Sequence, residues 1–93
     1  MSAPLTLAAF QQFVREKYLA TDAARGTPKT WMWFSEEVGE LARALARDTG
    51  RENLEEEFAD VLAWLCTLAN INGVDLEAAV RRKYLEAPPT GVK

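Results

Sequence analysis

Ser35-Glu36-Glu37-Val38-Gly39-Glu40-Leu41 and Glu55-Glu56-Glu57-Phe58-Ala59-Asp60-Val61 decide how this chain reads, because each sets carboxylates into an apolar repeat of helical period. At about 100° per residue, Phe34, Val38, Leu41 and Leu45 fall on one face, with Glu37 and Glu40 just off its edge. The second stretch repeats the arrangement. Leu54, Phe58, Val61, Leu65 and Leu68 share a face, and Glu57 and Asp60 lie off the same edge by the same rotation. Two helices built alike would each bring a pair of acids to the border of a core.

Carboxylates gathered in this way repel one another and cannot all stay ionised near neutral pH without a compensating cation. Oxygen-only ligation suits a hard divalent ion, Mg²⁺ with Mn²⁺ as a substitute, and a chain with no His and a single Cys cannot build a zinc site of its own. The acids also have a plainer reading. Glu55 and Glu56 lie near a helix start, where acidic residues complement the dipole and stay solvated. Glu36 points further toward solvent, between metal support and surface charge. Glu37 and Glu40 lack a basic residue four positions on, where Leu41 and Ala44 stand, so a local ion pair explains them less well than a metal does.

Ninety-three residues with 48% hydrophobic and 10% aromatic content describe one folded domain, expected over 1–93 with a helical core of about 7–87 and a frayed tail at 88–93. So small a chain buries a modest fraction of its surface alone, and association with further copies is expected. The net charge of −3 argues against a nucleic-acid binder. The longest apolar run, Val61 to Ala69, falls far short of the roughly 20 residues that cross a bilayer. With no charged, apolar leader over Met1 to Leu7, the expected location is the cytoplasm. Cys66, inside that run, reads as core packing.

Taken in order, Thr6 caps a first helix from Leu7 to about Ala20, with Phe10, Phe13, Val14 and Tyr18 as its stripe. A loop from Thr21 to Lys29, broken by Gly26 and Pro28, leaves Arg25 and Lys29 exposed. A second helix runs from about Thr30 to Asp48 and stops near Gly50. Asn53 and Glu56 form a capping-box pattern for a third helix, Leu54 to Asn72, ended by Gly73. Asp75 caps a fourth, to about Glu86, before Pro88-Pro89. Four helices without a strand signal make an all-α bundle.

Trp33 precedes Glu37 by a turn and Trp64 follows Asp60 by a turn, so in antiparallel helices both indoles reach one end of the acid cluster. They either receive an aromatic ligand or fill core and interface. Lys83 shares a face with Leu76 and Val80. Its partner is an internal carboxylate, solvent reached by snorkelling, or a substrate phosphate. Lys17 raises the same question more weakly.

Glu36-Glu37-x-x-Glu40, then sixteen residues (41–56), then Glu57-x-x-Asp60 resembles the EExxE…ExxD signature of the MazG-like all-α nucleotide pyrophosphohydrolases. The resemblance spans about Trp31 to Tyr84 and includes Gly73-Val74-Asp75-Leu76-Glu77-Ala78-Ala79-Val80 with Lys83. It implies Mg²⁺-dependent cleavage of a (d)NTP to monophosphate and pyrophosphate by a homodimer or homotetramer, in the housecleaning of non-standard or surplus nucleotides. It also implies Glu37, Glu40, Glu57 and Asp60 as metal ligands, Glu36 in support, Lys83 at the phosphates and Trp64 against the base. A relative acting on phosphoribosyl-ATP and a non-catalytic helical interaction module are the competing readings. A di-iron bundle is set aside, because its Glu-x-x-His motif needs a histidine.

Overall fold

The computed structural model describes residues 4–86. Among them are four α-helices and no strand: α1 (Leu7–Arg25), α2 (Thr27–Arg47), α3 (Arg51–Ile71) and the short α4 (Leu76–Val80), which runs on into a π-helical turn over Arg81–Leu85. The all-α architecture is as expected. The tail assigned to 88–93 lies outside the described residues, as do Pro88 and Pro89.

Helix α3 is the hub, packing against α2 on one side and α1 on the other. Only Asp48, Thr49 and Gly50 join α2 to α3, so the two form an antiparallel hairpin. Asp48, not Gly50, takes the left-handed position after α2, with φ 51°. Helix α3 starts three residues before the expected Leu54. Asn53 is therefore inside the helix, and its side chain bonds Thr49 instead of capping.

The expected loop from Thr21 to Lys29 does not form. Helix α1 continues to Arg25, Gly26 alone breaks the chain, and Pro28 sits in the first turn of α2, where its missing N–H is no loss. Gly26 has φ 84° and ψ 167°, a conformation essentially confined to glycine. Thr30, fully buried, ties this corner: its hydroxyl donates to Gly26 O at 2.7 Å and accepts from Arg25 Nε at 3.0 Å. Arg25 is consequently half-buried, contrary to its expected exposure, whereas Lys29 is exposed.

The fourth element is held by polar contacts. Thr6 accepts from Ala9 N and Asp75 from Ala78 N, both at 3.0 Å, as their capping roles require. Glu77 reaches across to accept from Ala8 N at the start of α1. Gln11 is the clamp. Its amide donates to Asn70 Oδ1 at 2.9 Å and Val74 O at 2.7 Å, and its oxygen accepts from Leu76 N at 3.0 Å.

The core differs from the one expected. Val14, Ala44, Cys66 and Ala69 are its buried apolar residues, and burial pushes the Cys66 thiol pKa up. On α1, Phe13 and Tyr18 are exposed. On the hairpin, Val38, Leu45 (60% exposed), Phe58 (54% exposed) and Leu65, all assigned to the core from periodicity, face outward together with Leu62. Phe34 and Leu41 on α2, with Leu54, Val61 and Leu68 on α3, are half-buried as expected, but their lines run through Glu37 to buried Ala44 on α2 and through Glu57 and Trp64 on α3. Both follow the alternating three- and four-residue step of a helix seam. The richest apolar faces lack a partner within the described chain, and the acids lie in the seam. None of the helices described is long and apolar enough to cross a membrane.

Candidate metal centre

Placing a glutamate in each half of the α2–α3 seam has a direct electrostatic consequence. One carboxylate oxygen from each of Glu37, Glu40 and Glu57 lies within 4.8 Å of the others, so three acids meet where two helices pack. Burial raises the Glu37 pKa to about 7, reinforced by the charge of Glu40, a hydrogen bond shared with it, and the charges of Asp60 and Glu57. Glu57 is raised by the same causes, burial first, then Glu40, Asp60 and Glu56, with an Asn53 hydrogen bond pulling the other way.

Glu37 Oε2 and Glu57 Oε2 are buried without a hydrogen-bond partner among the described residues. Buried acceptors are normally satisfied. Two orphaned oxygens among three converging carboxylates are what a hard cation needs, and the donor set fits Mg²⁺ or Mn²⁺. Of the four ligands expected, Glu37, Glu40 and Glu57 are brought together. Asp60 is exposed and outside that tight group, yet near enough for its charge to act on both Glu37 and Glu57. Glu36 and Glu56 are exposed, and Glu55 pairs with Arg51 on the surface at 3.2 Å.

Next to Asp60 along α3 lies a cavity of about 370 Å³ between α1 and α3, lined by Tyr18, Asp22, Arg25, Trp64, Thr67 and neighbouring small residues. Trp64 thus stands at a concave site. Trp33 is 43% exposed on α2 and is not among the lining residues. Neither expected cation lines that cavity: exposed Lys17 lies 5.5 Å from the Phe13 ring centre, and exposed Lys83 lies 5.7 Å from that of Tyr84. Asp22 and Thr67 were invisible to the sequence reading. Asp22 falls in the segment assigned to a loop, although Asp22-x-x-Arg25, one helical turn apart, was a usable signal.

An all-α hairpin that brings three glutamates together between its helices defines a class of helical proteins whose acids fit a divalent cation. The chain belongs to the MazG nucleotide pyrophosphohydrolase domain family, whose model matches residues 26–86. All of α1 precedes that match. Comparison with curated proteins found no match.

Proposed function

We propose that this protein is a Mg²⁺-dependent nucleoside triphosphate pyrophosphohydrolase, cleaving (d)NTP between the α and β phosphates to give (d)NMP and pyrophosphate. The observation that carries this is the convergence of Glu37, Glu40 and Glu57 within 4.8 Å, with two buried oxygens unpartnered, in a chain of this family. Glu37, Glu40 and Glu57 would hold the cation, with Asp60 the further carboxylate nearby. A divalent ion there supplies Lewis acidity toward phosphoryl oxygens and toward water.

The remaining steps belong to the chain's own side chains. Glu36 and Glu56, exposed beside the ligand acids, are the carboxylates left to accept the proton of the attacking water. In-line attack requires a fixed α-phosphate. The cavity beside Trp64 would anchor the base and so help to hold the nucleotide in place. Lys83 and Lys17, both exposed, are the cations assigned to the outer phosphates. A housecleaning role in the cytoplasm, toward non-standard or surplus nucleotides, follows from the same reading.

The unpartnered Val38, Leu45, Phe58, Leu62 and Leu65 faces support a homo-oligomer, a dimer or tetramer in which a second copy covers the hairpin. Glu40→Gln tests the catalytic claim, because it removes one ligand charge from an exposed position. It should abolish pyrophosphate release while helicity by circular dichroism is unchanged. An active variant that ignores chelator would falsify the assignment.

A further inference from the structure

Asp22 is 5% exposed, and its carboxylate does two different things. Oδ1 accepts from Arg25 Nη2 at 2.6 Å, whereas Oδ2 is buried without a partner among the described residues. The Arg25 guanidinium lies over the Trp64 ring, 5.0 Å from its centre, and all three residues line the cavity between α1 and α3. Its volume, about 370 Å³, is within the range of small-ligand pockets. On α3, Trp64 follows Glu57, that helix's member of the acid cluster, by seven residues, about 10 Å of rise. A polyphosphate held at the acids can therefore deliver its base there.

A flat cation lying over an indole and tied to a carboxylate by an N–H group has the same recognition pattern as an amino-bearing nucleobase. We propose that Asp22 is a specificity-determining residue: a base carrying an exocyclic amino group replaces the Arg25 guanidinium over Trp64 and donates an N–H to the Asp22 carboxylate. An ionised carboxylate only accepts hydrogen bonds. It pairs with the amino edge of cytosine or adenine, or with the N–H edge of guanine, and it repels the carbonyl edge that uracil and thymine present in the same place. Thr67, on the same wall, offers a hydroxyl that can donate to a neighbouring ring nitrogen. Asp22 and Tyr18 are on α1, all of which precedes the family match, so this selectivity is a property of this chain's own first helix.

The inference rests on the nucleotide reading for the arrival of a base, and its test separates the two. The first arm uses wild-type protein in chelator, with cytidine and uridine monophosphates as probes. The indole N–H signal of Trp64, assigned with Trp64→Phe, and the Nε–H signal of Arg25 are followed by NMR. Both should shift saturably with the cytidine nucleotide and at least tenfold more weakly with the uridine nucleotide. Equal response to both, or none to either, overturns the inference whether or not the protein is an enzyme. In the second arm, pyrophosphate release with Mg²⁺ should favour dCTP over dUTP by roughly tenfold or more in kcat/KM. Asp22→Asn, whose amide can face a carbonyl, should bring that ratio to near unity. A folded Asp22→Asn protein that keeps the wild-type ratio overturns the inference and leaves the hydrolase reading standing. If Asp22→Asn does not fold, the NMR arm decides alone.

Discussion

At the scale of single residues, Glu37 couples metal, proton and stability. Its pKa of about 7 is above the usual 4.5, so the native state holds a proton that the unfolded chain has released. Between those values the native state binds more protons than the unfolded one, and metal-free stability should fall as pH rises from about 4.5 through about 7. A divalent ion competes with that proton. Mg²⁺ binding should release a proton near pH 6 and tighten as pH approaches 7; calorimetry in two buffers of different ionisation enthalpy checks this. Glu37→Gln removes the repulsion and should raise the metal-free melting temperature at pH 7.5 while weakening Mg²⁺ binding at least tenfold. Spacing made the Glu37, Glu40 and Glu57 set legible in the sequence. It did not show that Glu37 and Glu57 lie inside the seam, because periodicity ranks faces by apolar content and the seam here is the more polar face.

At the scale of elements, the positions that join helices are few and testable. Gly26→Ala introduces a Cβ that meets nothing within 4 Å, so its effect is backbone strain alone, about 1–3 kcal/mol. The loss should appear as a lower urea midpoint. Gln11→Ala strands Asn70 Oδ1, Val74 O and Leu76 N–H, and about 2–3 kcal/mol should be lost. Amide exchange should then quicken first in α4. Thr6 and Asp75 were readable as caps because capping is a local property of one side chain. The corner at Gly26 was not. Gly-x-Pro signals a loop when read by composition, yet a glycine in an unusual conformation followed by proline in a first turn can join two helices directly. The Asp22–Arg25 pair was lost with that error.

At the scale of the whole molecule, the exposed hairpin face explains why an apolar stripe was mistaken for core. Phe34 through Leu45 and Leu54 through Leu68 have the pattern of buried helices, and half of it is met in the seam, but nothing among the described residues covers Val38, Leu45, Phe58 and Leu65. Leu62→Glu puts a charge in the middle of that face. Wild-type protein should sediment as a dimer or larger, and the variant as a monomer. A monomeric wild type at the same concentration contradicts the shared face.

The proposed cut, between the α and β phosphates, is read directly from its products. Incubation of a nucleoside triphosphate with the protein and Mg²⁺, followed by ³¹P NMR, should show monophosphate and pyrophosphate growing together, with neither in chelator nor with Glu40→Gln. Diphosphate and orthophosphate, or no product from a folded protein that binds Mg²⁺, would contradict it.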